Sequence, residues 1–380
     1  MTPERLAQLT RLRRALHQIP EVSGAEEKTA AMVADYLRGH APDHLLTSLG
    51  GHGVAAVYEG RADGPTVLIR CELDGLPIEE LSDYPYRSAH AGRGHLCGHD
   101  GHMTMVAALA EDLAANRPAR GRAVLLFQPA EETGKGAAAV IADPAFQQIA
   151  PDYAFSLHNL PGLPVGQVAL CSGAANCASR GMRIKLTGKT SHAAAPQDGV
   201  SPAGAVSQLL PGLVALGSGG DPGPGFALVT LTHARLGEAA FGIAPGEGEV
   251  WATLRTVTDA RMDQVIADAA ALAEQVCAAE GLGLSIEFDD VFDACTNHSE
   301  AVEVLQAACA AAGHPAWMRD YPQRWSEDFG QFGKGAKAAM FWLGSGEDQP
   351  QLHNPDFDFP DAAIPAGAGI FLHTLRNLLG

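Results

Sequence analysis

The stretch GHLCGHDGHMTM, Gly94 to Met105, decides how the rest of the chain is organised. Within it a thiol, two imidazoles and a carboxylate are separated by small residues, at Cys97, His99, Asp100 and His102. Soft sulfur and borderline nitrogen donors suit zinc-like ions. A lone Cys-x-His pair lacks the closed set of four ligands that a structural zinc finger needs, so the pattern indicates an open catalytic site completed by distant residues.

Two glycines in this stretch bear on its local conformation. Gly98 and Gly101 are expected to let the backbone turn tightly, so that neighbouring donors converge. The apolar run that follows predicts a helix from Met103 to Leu113.

Length and composition favour a packed enzyme of two domains. The chain has 380 residues, of which 46% are hydrophobic and 18% are charged, and this length exceeds one ordinary core. Its 44 acidic and 26 basic residues give a net charge of −18. Because a polyanion would be repelled, we expect no nucleic-acid or anionic-membrane partner.

The cysteines and the N-terminal region predict a cytoplasmic protein. The segment Met1 to Ile19 has leucines at helical spacing and no cleavage site, which is typical of an amphipathic helix rather than a signal peptide. No run approaches the roughly 18 apolar residues of a membrane span. Seven cysteines fit a reducing compartment, and all except Cys97 are expected to be small buried hydrophobes.

The first part of the chain predicts an α/β sheet with chemistry at its strand ends. The spacing of Ser23 and Glu26 predicts a capping box that starts a helix running to about Arg38. Four β-rich runs follow, the first two expected to be neighbours: Val54 to Tyr58, Thr66 to Cys71, Ala123 to Phe127 and Tyr153 to Leu157.

Three of these runs end at side chains that can bind metal or carry protons. Asp74 follows the second, Glu131 and Glu132 follow the third, and His158 ends the fourth. Ligands in α/β sheets collect at the carboxyl ends of strands. The recurrence therefore predicts one shared site.

The middle of the chain predicts an inserted domain. Residues 178–291 have the order β-α-β-β-α-β, which is typical of a ferredoxin-like α+β domain. We therefore expect a discontinuous catalytic domain, 1–177 and 292–380, interrupted by this insertion.

Several candidate residues are ambiguous when taken alone. Glu131 and Glu132 fit a solvated acidic pair, or a pair in which one binds metal and the other takes a proton. His158 and His353 are lone histidines. His192 has no partner nearby in sequence, so a structural and a functional role are equally open.

Seven blocks of the sequence together resemble one known family, the metal-dependent amidohydrolases. This family includes hippurate hydrolase, bacterial N-acyl-amino-acid aminoacylases and plant auxin-amino-acid conjugate hydrolases, relatives of the di-zinc exopeptidases. The blocks occur in the family's order: Leu16 to Glu21, Cys97 to His102, Phe127 to Glu132, Leu157 to Gly166, Ser191 to Pro202, Ser326 to Phe329 and Leu352 to Phe357.

The resemblance implies an α/β catalytic domain like that of the di-metal exopeptidases, with the insertion acting as a lid and dimerisation domain. Glu131 would be the general base, and His192 would hold the developing oxyanion across a dimer interface. Two divalent ions per subunit are implied, zinc or manganese, with cobalt or nickel also possible. Their ligands would be Cys97, which bridges, His99, Glu132, His158 and His353.

Supporting residues are also implied, with two departures from the family. Asp74 and Asp100 would support the ligands, and Arg255 matches a substrate-contacting position. Glu72 stands where the family has aspartate, and Gly242 stands where it has a substrate-contacting asparagine.

These observations predict a homodimeric hydrolase that cleaves the amide of an N-acyl amino acid or related conjugate, releasing a carboxylic acid and an amino acid. A dipeptidase or carboxypeptidase on the same site is the first alternative. A non-catalytic metal-binding relative is the second, and it is disfavoured because metal retention alone has no use for Glu131.

Overall fold

The computed structural model describes residues 1–380 and shows a mixed α/β protein. Its helices are α1 Pro3–His17, α2 Glu27–Arg38, α3 His99–Ala115, α4 Gly136–Ala142, α5 Ala203–Val214, α6 Asp259–Glu280, α7 Ser299–Ala311 and α8 Ile364–Leu379. Its strands are β1 His44–Leu49, β2 Gly53–Glu59, β3 Thr66–Glu72, β4 Arg122–Gln128, β5 Tyr153–Pro161, β6 Val168–Leu170, β7 Gly173–Asn176, β8 Ala178–Thr187, β9 Ser191–His192, β10 Ala227–Leu236, β11 Ile243–Ala244, β12 Glu247–Thr256, β13 Gly283–Phe292, β14 Cys295–Asn297, β15 Ala316–Met318 and β16 Lys337–Gly346.

The chain forms two compact units. The first contains Met1–Ala175, Thr296–Asp320 and Asp328–Gly380, and the second contains Asn176–Cys295 and Tyr321–Glu327. No helix is both long and apolar enough to cross a membrane. All seven cysteines are buried, as expected for the six outside the metal-type motif.

The first unit is built on an eight-stranded sheet with the order β1-β2-β4-β3-β5-β16-β6-β15. Strands β4, β3, β5 and β16 are parallel, and their residues are buried almost throughout. Such continuous burial is typical of parallel strands covered by helices on both faces. The carboxyl ends of β4, β3 and β5 therefore meet at one edge.

Two details of the sequence-based prediction for this unit were wrong. Strands β2 and β3 are not neighbours, because β4 lies between them and pairs with both. The connection through α3 places β4 beside β3, and a pattern of local residues does not encode that long-range packing. The capping box is also absent, since α2 begins at Glu27 and the side chain of Glu26 makes no capping bond to it.

The second unit contains a four-stranded antiparallel sheet with the order β10-β12-β8-β13. Its buried residues alternate along β8 at Met182, Ile184 and Leu186 and pack with apolar residues of α5 and α6. Taken in chain order, the strands lie 4-1-3-2, the arrangement expected for a ferredoxin-like unit.

Helix α1 is anchored in the first unit by two fully buried basic residues, Arg13 and His17. Arg13 donates to Asp100 at 3.3 Å and to Asp358 at 2.5 Å. The ring of His17 contacts Asp100 at 2.8 Å through Nδ1 and Glu80 at 3.2 Å through Nε2. Although burial opposes the charged ring, these carboxylates raise the pKa of His17 to about 10.

This anchor predicts a pH dependence of stability. The folded pKa of His17 lies above the ordinary value of 6.5, so its contribution is fully present below about pH 6.5 and is lost as pH rises through about 10. We expect the free energy of unfolding, measured with urea between these limits, to fall more steeply for the wild type than for His17→Gln. Substitution of the exposed His44 by Gln is the control, and equal slopes for wild type and His17→Gln would contradict the prediction.

Candidate metal centre

The predicted metal ligands lie together at the carboxyl edge of β4, β3 and β5 in the first unit. Cys97 precedes α3 and His99 begins it. Glu132 follows β4, and His158 lies within β5 rather than after it, because this strand continues to Pro161. His353 comes from a distant loop, where it has a φ of 67° and donates its backbone N–H to the carbonyl of Leu96 at 2.8 Å.

The ligand atoms form overlapping clusters. The atoms of Cys97, His99 and His158 lie within 4.8 Å of one another, and so do those of Cys97, Glu132 and His353. A third cluster joins Glu131 to His99 and Glu132 within the same limit. The structure thus brings all five predicted ligands and the predicted base into one region, with Cys97 common to two clusters.

Gly98 and Gly101 shape this region in different ways. Gly98 adopts a φ of 94° immediately before α3, and a Cβ there would lie 2.3 Å from Nδ2 in the side chain of Asn159. Gly98 therefore makes the tight turn that was expected. Gly101 is instead helical, and its missing side chain admits the ring of Phe359, whose Cγ would lie 2.3 Å from an added Cβ.

His99 is oriented by a backbone carbonyl. Its Nδ1 donates to the carbonyl oxygen of Asp74 at 2.8 Å, which orients the ring and turns Nε2 toward Glu132. This buried Nε2 has no hydrogen-bond partner and lies 3.9 Å from Oε1 of Glu132. A buried ring nitrogen that faces a carboxylate requires a proton or a cation between them.

The donor set fits a divalent ion. Ligands of one zinc-type ion, each at about 2.0–2.3 Å from it, lie roughly 3–4 Å apart. The observed separations are 3.3 Å from Cys97 Sγ to His158 Nε2, 3.7 Å from His353 Nε2 to Glu132 Oε2, and 3.9 Å for His99 and Glu132. Sulfur, nitrogen and carboxylate oxygen are all accepted by such ions.

Burial sets the protonation of two of these groups. Burial, reinforced by the neighbouring Glu132 and Glu131, raises the pKa of the Cys97 thiol well above its ordinary value. Burial also lowers the pKa of His158 well below its ordinary value. A neutral imidazole is the form that binds metal, whereas the thiol needs a bound cation to become a thiolate at neutral pH.

Asn159 positions two parts of the site, and the sequence analysis missed it. Its Nδ2 donates to the carbonyl oxygen of Cys97 at 2.6 Å and lies 3.1 Å from Nε2 of His102. The backbone carbonyl oxygen of Asn159 faces Nδ1 of His158 at 2.8 Å, leaving Nε2 of that ring toward Cys97. The only signal was its place beside His158 in the block that begins at Leu157.

His102 belongs to a buried network behind the ligands. Its Nδ1 lies 2.7 Å from Glu72 Oε2, and Glu72 also accepts from Arg70. Arg70 donates in turn to Asp328 at 2.6 Å. Although burial opposes ionisation, Arg70 and His102 hold the pKa of Glu72 below its ordinary value. The glutamate at position 72, where the family has aspartate, therefore contacts both Arg70 and His102.

The two aspartates predicted to support the ligands lie in different surroundings. Oδ2 of Asp74 accepts from Ser23 at 2.6 Å and from the backbone N–H of Glu132 at 3.0 Å, so Asp74 contacts a predicted ligand, and its supporting role stays a prediction. The prediction that Asp100 orients a ligand side chain was wrong. Its carboxylate binds His17 and Arg13, because its position in the first turn of α3 directs it toward α1.

The remaining predicted residues belong to the second unit. His192 is exposed on β9, opposite Ile243 of β11, and its Nδ1 accepts the N–H of Ala194 at 3.0 Å. Arg255 on β12 donates to the Arg324 carbonyl at 3.0 Å and to Ser326 Oγ at 3.1 Å. Their parts in a reaction stay predictions.

Comparison with known proteins identifies the family. The model of Peptidase family M20/M25/M40 matches residues 68–377, and the chain therefore belongs to this family. An N-acetyl-L-cysteine deacetylase of Bacillus subtilis is 31% identical over 373 residues, which cover 98% of this chain and 88% of the relative. An N-acetyldiaminopimelate deacetylase of Exiguobacterium sibiricum is 28% identical, with 96% and 98% covered.

A solved structure agrees with these relatives. The YXEP protein of Bacillus subtilis, a dinuclear metal binding peptidase from the M20 family, superposes with a TM-score of 0.84 at 25% identity and covers 100% of this chain and 99% of its own. The family and the fold class expected from the sequence are confirmed. The chain is a metal-dependent hydrolase of carbon–nitrogen bonds.

The contacts of Asn159 predict that it supports metal binding. Asn159→Ala removes the donor to the Cys97 carbonyl, and loss of such an outer contact typically weakens metal affinity by about 10–100-fold. Competition with a chromophoric chelator would measure this change, with the exposed Asn377→Ala as the control. Equal affinities for the two variants would show that Asn159 has no such role.

Proposed function

We propose that this protein hydrolyses the amide bond of N-acyl amino acids or related conjugates, releasing a carboxylic acid and an amino acid. The observation that carries this proposal is the pair of three-residue donor clusters that share Cys97, with Glu131 beside the ligands. The names of the relatives, which are deacetylases of N-acetylated amino acids, support the substrate class.

The residues that would hold two metal ions are Cys97, which is common to two of the donor clusters, and His99, Glu132, His158 and His353. When bound, two divalent ions close together lower the pKa of a water molecule toward about 7 and polarise the amide carbonyl. The mixed sulfur, nitrogen and oxygen donors suit zinc or manganese, and cobalt or nickel would also bind such a set.

Glu131 acts as the proton carrier. Its carboxylate lies within 4.8 Å of ligand atoms of His99 and Glu132, so it can accept a proton from a water molecule held there. It then passes the proton to the leaving amine nitrogen, which must be protonated before it departs. Glu132 would hold a metal ion instead, which separates the tasks of two adjacent carboxylates.

His192 and Arg255 contact the substrate in this proposal. Because Nδ1 of His192 accepts a backbone N–H, its Nε2 carries a proton and can donate to the developing oxyanion. Arg255 has no carboxylate partner, and only uncharged oxygens accept its hydrogen bonds, so it can bind the substrate carboxylate. We further propose that residues 178–291 form the lid and dimerisation domain of a cytoplasmic homodimer in which His192 serves the partner's site.

A substrate panel tests the reaction class. The metal-loaded protein would be incubated with N-acetyl and N-benzoyl amino acids and with dipeptides of the same C-terminal residue, and amine release would be measured. Faster cleavage of the N-acyl substrates is expected. Preference for dipeptides would replace the proposal with a dipeptidase, and no cleavage of any substrate would reject both.

Glu131→Gln should separate metal binding from turnover. The amide cannot accept the proton, so kcat should fall by at least about 10²–10⁴-fold, the usual contribution of a general acid–base group. Metal content, measured by elemental analysis, should stay near that of the wild type. The exposed Glu303→Gln is the control, and retained turnover in Glu131→Gln would remove Glu131 from the base role.

Shared sites predict complementation between inactive variants. His192→Ala should lose about 10²–10³ in rate, as expected for a missing oxyanion donor. Mixing it with Glu131→Gln, under conditions that exchange subunits, should restore part of the activity, since one site of the mixed dimer has both residues. No recovery in heterodimers confirmed by mass spectrometry would argue against a site shared between subunits.

A further inference from the structure

The turn that carries the proposed base and ligand has an unusual backbone. It follows β4 and contains Ala130, Glu131 and Glu132, and Ala130 adopts a φ of 52°. A non-glycine residue in the left-handed region is uncommon, and surrounding contacts must hold it there. The orientation of the peptide plane at Ala130 determines where the following two carboxylates point.

One short segment supplies contacts to this turn. Oε1 of the fully buried Glu26 accepts the N–H of Ala130 at 2.8 Å and that of Gly24 at 2.8 Å. Ser23 reaches the other side of the turn through Asp74, whose Oδ2 accepts the Ser23 hydroxyl and the N–H of Glu132. The hydrogen bonds therefore hold the backbone on both sides of Glu131.

Glu26 is not explained by helix capping or by ion pairing. It precedes α2 but makes no side-chain capping bond to it; its Oε1 accepts only backbone N–H groups, and its Oε2 is buried without a hydrogen-bond partner. Burial raises the pKa of this carboxyl. A carboxylate buried without a cation is costly, so its retention requires a benefit that the bond to Ala130 can supply.

We propose that Glu26 is a positioning residue for the catalytic turn, with Ser23 acting beside it through Asp74. This inference rests on the proposed function for its effect on catalysis. Without the Glu26 contact, the peptide at Ala130 relaxes toward a common conformation and the carboxylate of Glu131 moves. Displacement of a reacting group by about 1 Å can cost 10²-fold in rate.

The chain contains a matched control. Glu21 is also buried and also accepts two backbone N–H groups, from Lys28 at 2.8 Å and Thr29 at 2.9 Å. These groups belong to the start of α2 and not to the turn. Glu21→Ala therefore removes a comparable carboxylate without touching the catalytic backbone.

Hydrogen exchange gives a test that does not depend on activity. Peptides covering residues 129–134 would be followed by mass spectrometry in the full-length protein. Glu26→Ala should exchange at least about 10-fold faster there, because the Ala130 N–H loses its acceptor and the turn opens locally. Glu21→Ala should leave these peptides unchanged, and Glu26→Gln, whose amide oxygen can still accept, should preserve most of the protection.

Kinetics of the metal-loaded protein provide the second readout. Glu26→Ala should lower kcat by about 10–100-fold with KM within about twofold, while Glu26→Gln and Glu21→Ala keep kcat within a few-fold. Unchanged exchange in Glu26→Ala overturns the proposal, and so does a kcat equal to that of Glu21→Ala.

If Glu26→Ala does not fold, Ser23→Ala is measured instead. Unchanged exchange of the Glu132 N–H in Ser23→Ala then overturns the proposal. An inactive wild type with faster exchange in Glu26→Ala would reject the proposed function and leave the positioning role standing.

Discussion

The parallel pairing of β4, β3 and β5 is the constraint on which the site depends. It brings three strand ends to one edge, so side chains far apart in sequence need only short reaches to meet. Each strand is buried on both faces, which leaves the edge as the place where polar groups can gather. Helix α3 begins at the same edge, and its first residue is His99.

Backbone groups, more than charged side chains, orient the predicted metal ligands. The carbonyl of Asp74 orients His99, the carbonyl of Asn159 orients His158, and the N–H of His353 ties its loop to Leu96. Basic side chains lie behind the predicted ligands, where Arg70 and Arg13 each neutralise buried carboxylates. Because the basic side chains do not pair with the predicted ligands themselves, the negative charge of these ligands remains available to cations.

Much of this organisation could be predicted from the sequence, and the failures have physical causes. The apolar run of β4 is a local signal, and this strand was predicted within one residue of its bounds at each end. The insertion of β4 between β2 and β3 depends on packing across the sheet. Ser23 was assigned from local spacing and Asp100 from the family resemblance, whereas tertiary contacts with Asp74 and Arg13 determine what they do. Asn159 was missed because amide side chains carry no signal of their own.

The wide separation of the ligands in sequence has a consequence for the order of events in folding. Cys97 is followed by most of the sheet, the whole second unit and the loop of His353 before the donor set is complete. Contacts between such distant segments close large loops and form slowly. A nascent chain that ends before His353 therefore has only part of the predicted donor set, and we expect full metal capture to be a late step in synthesis.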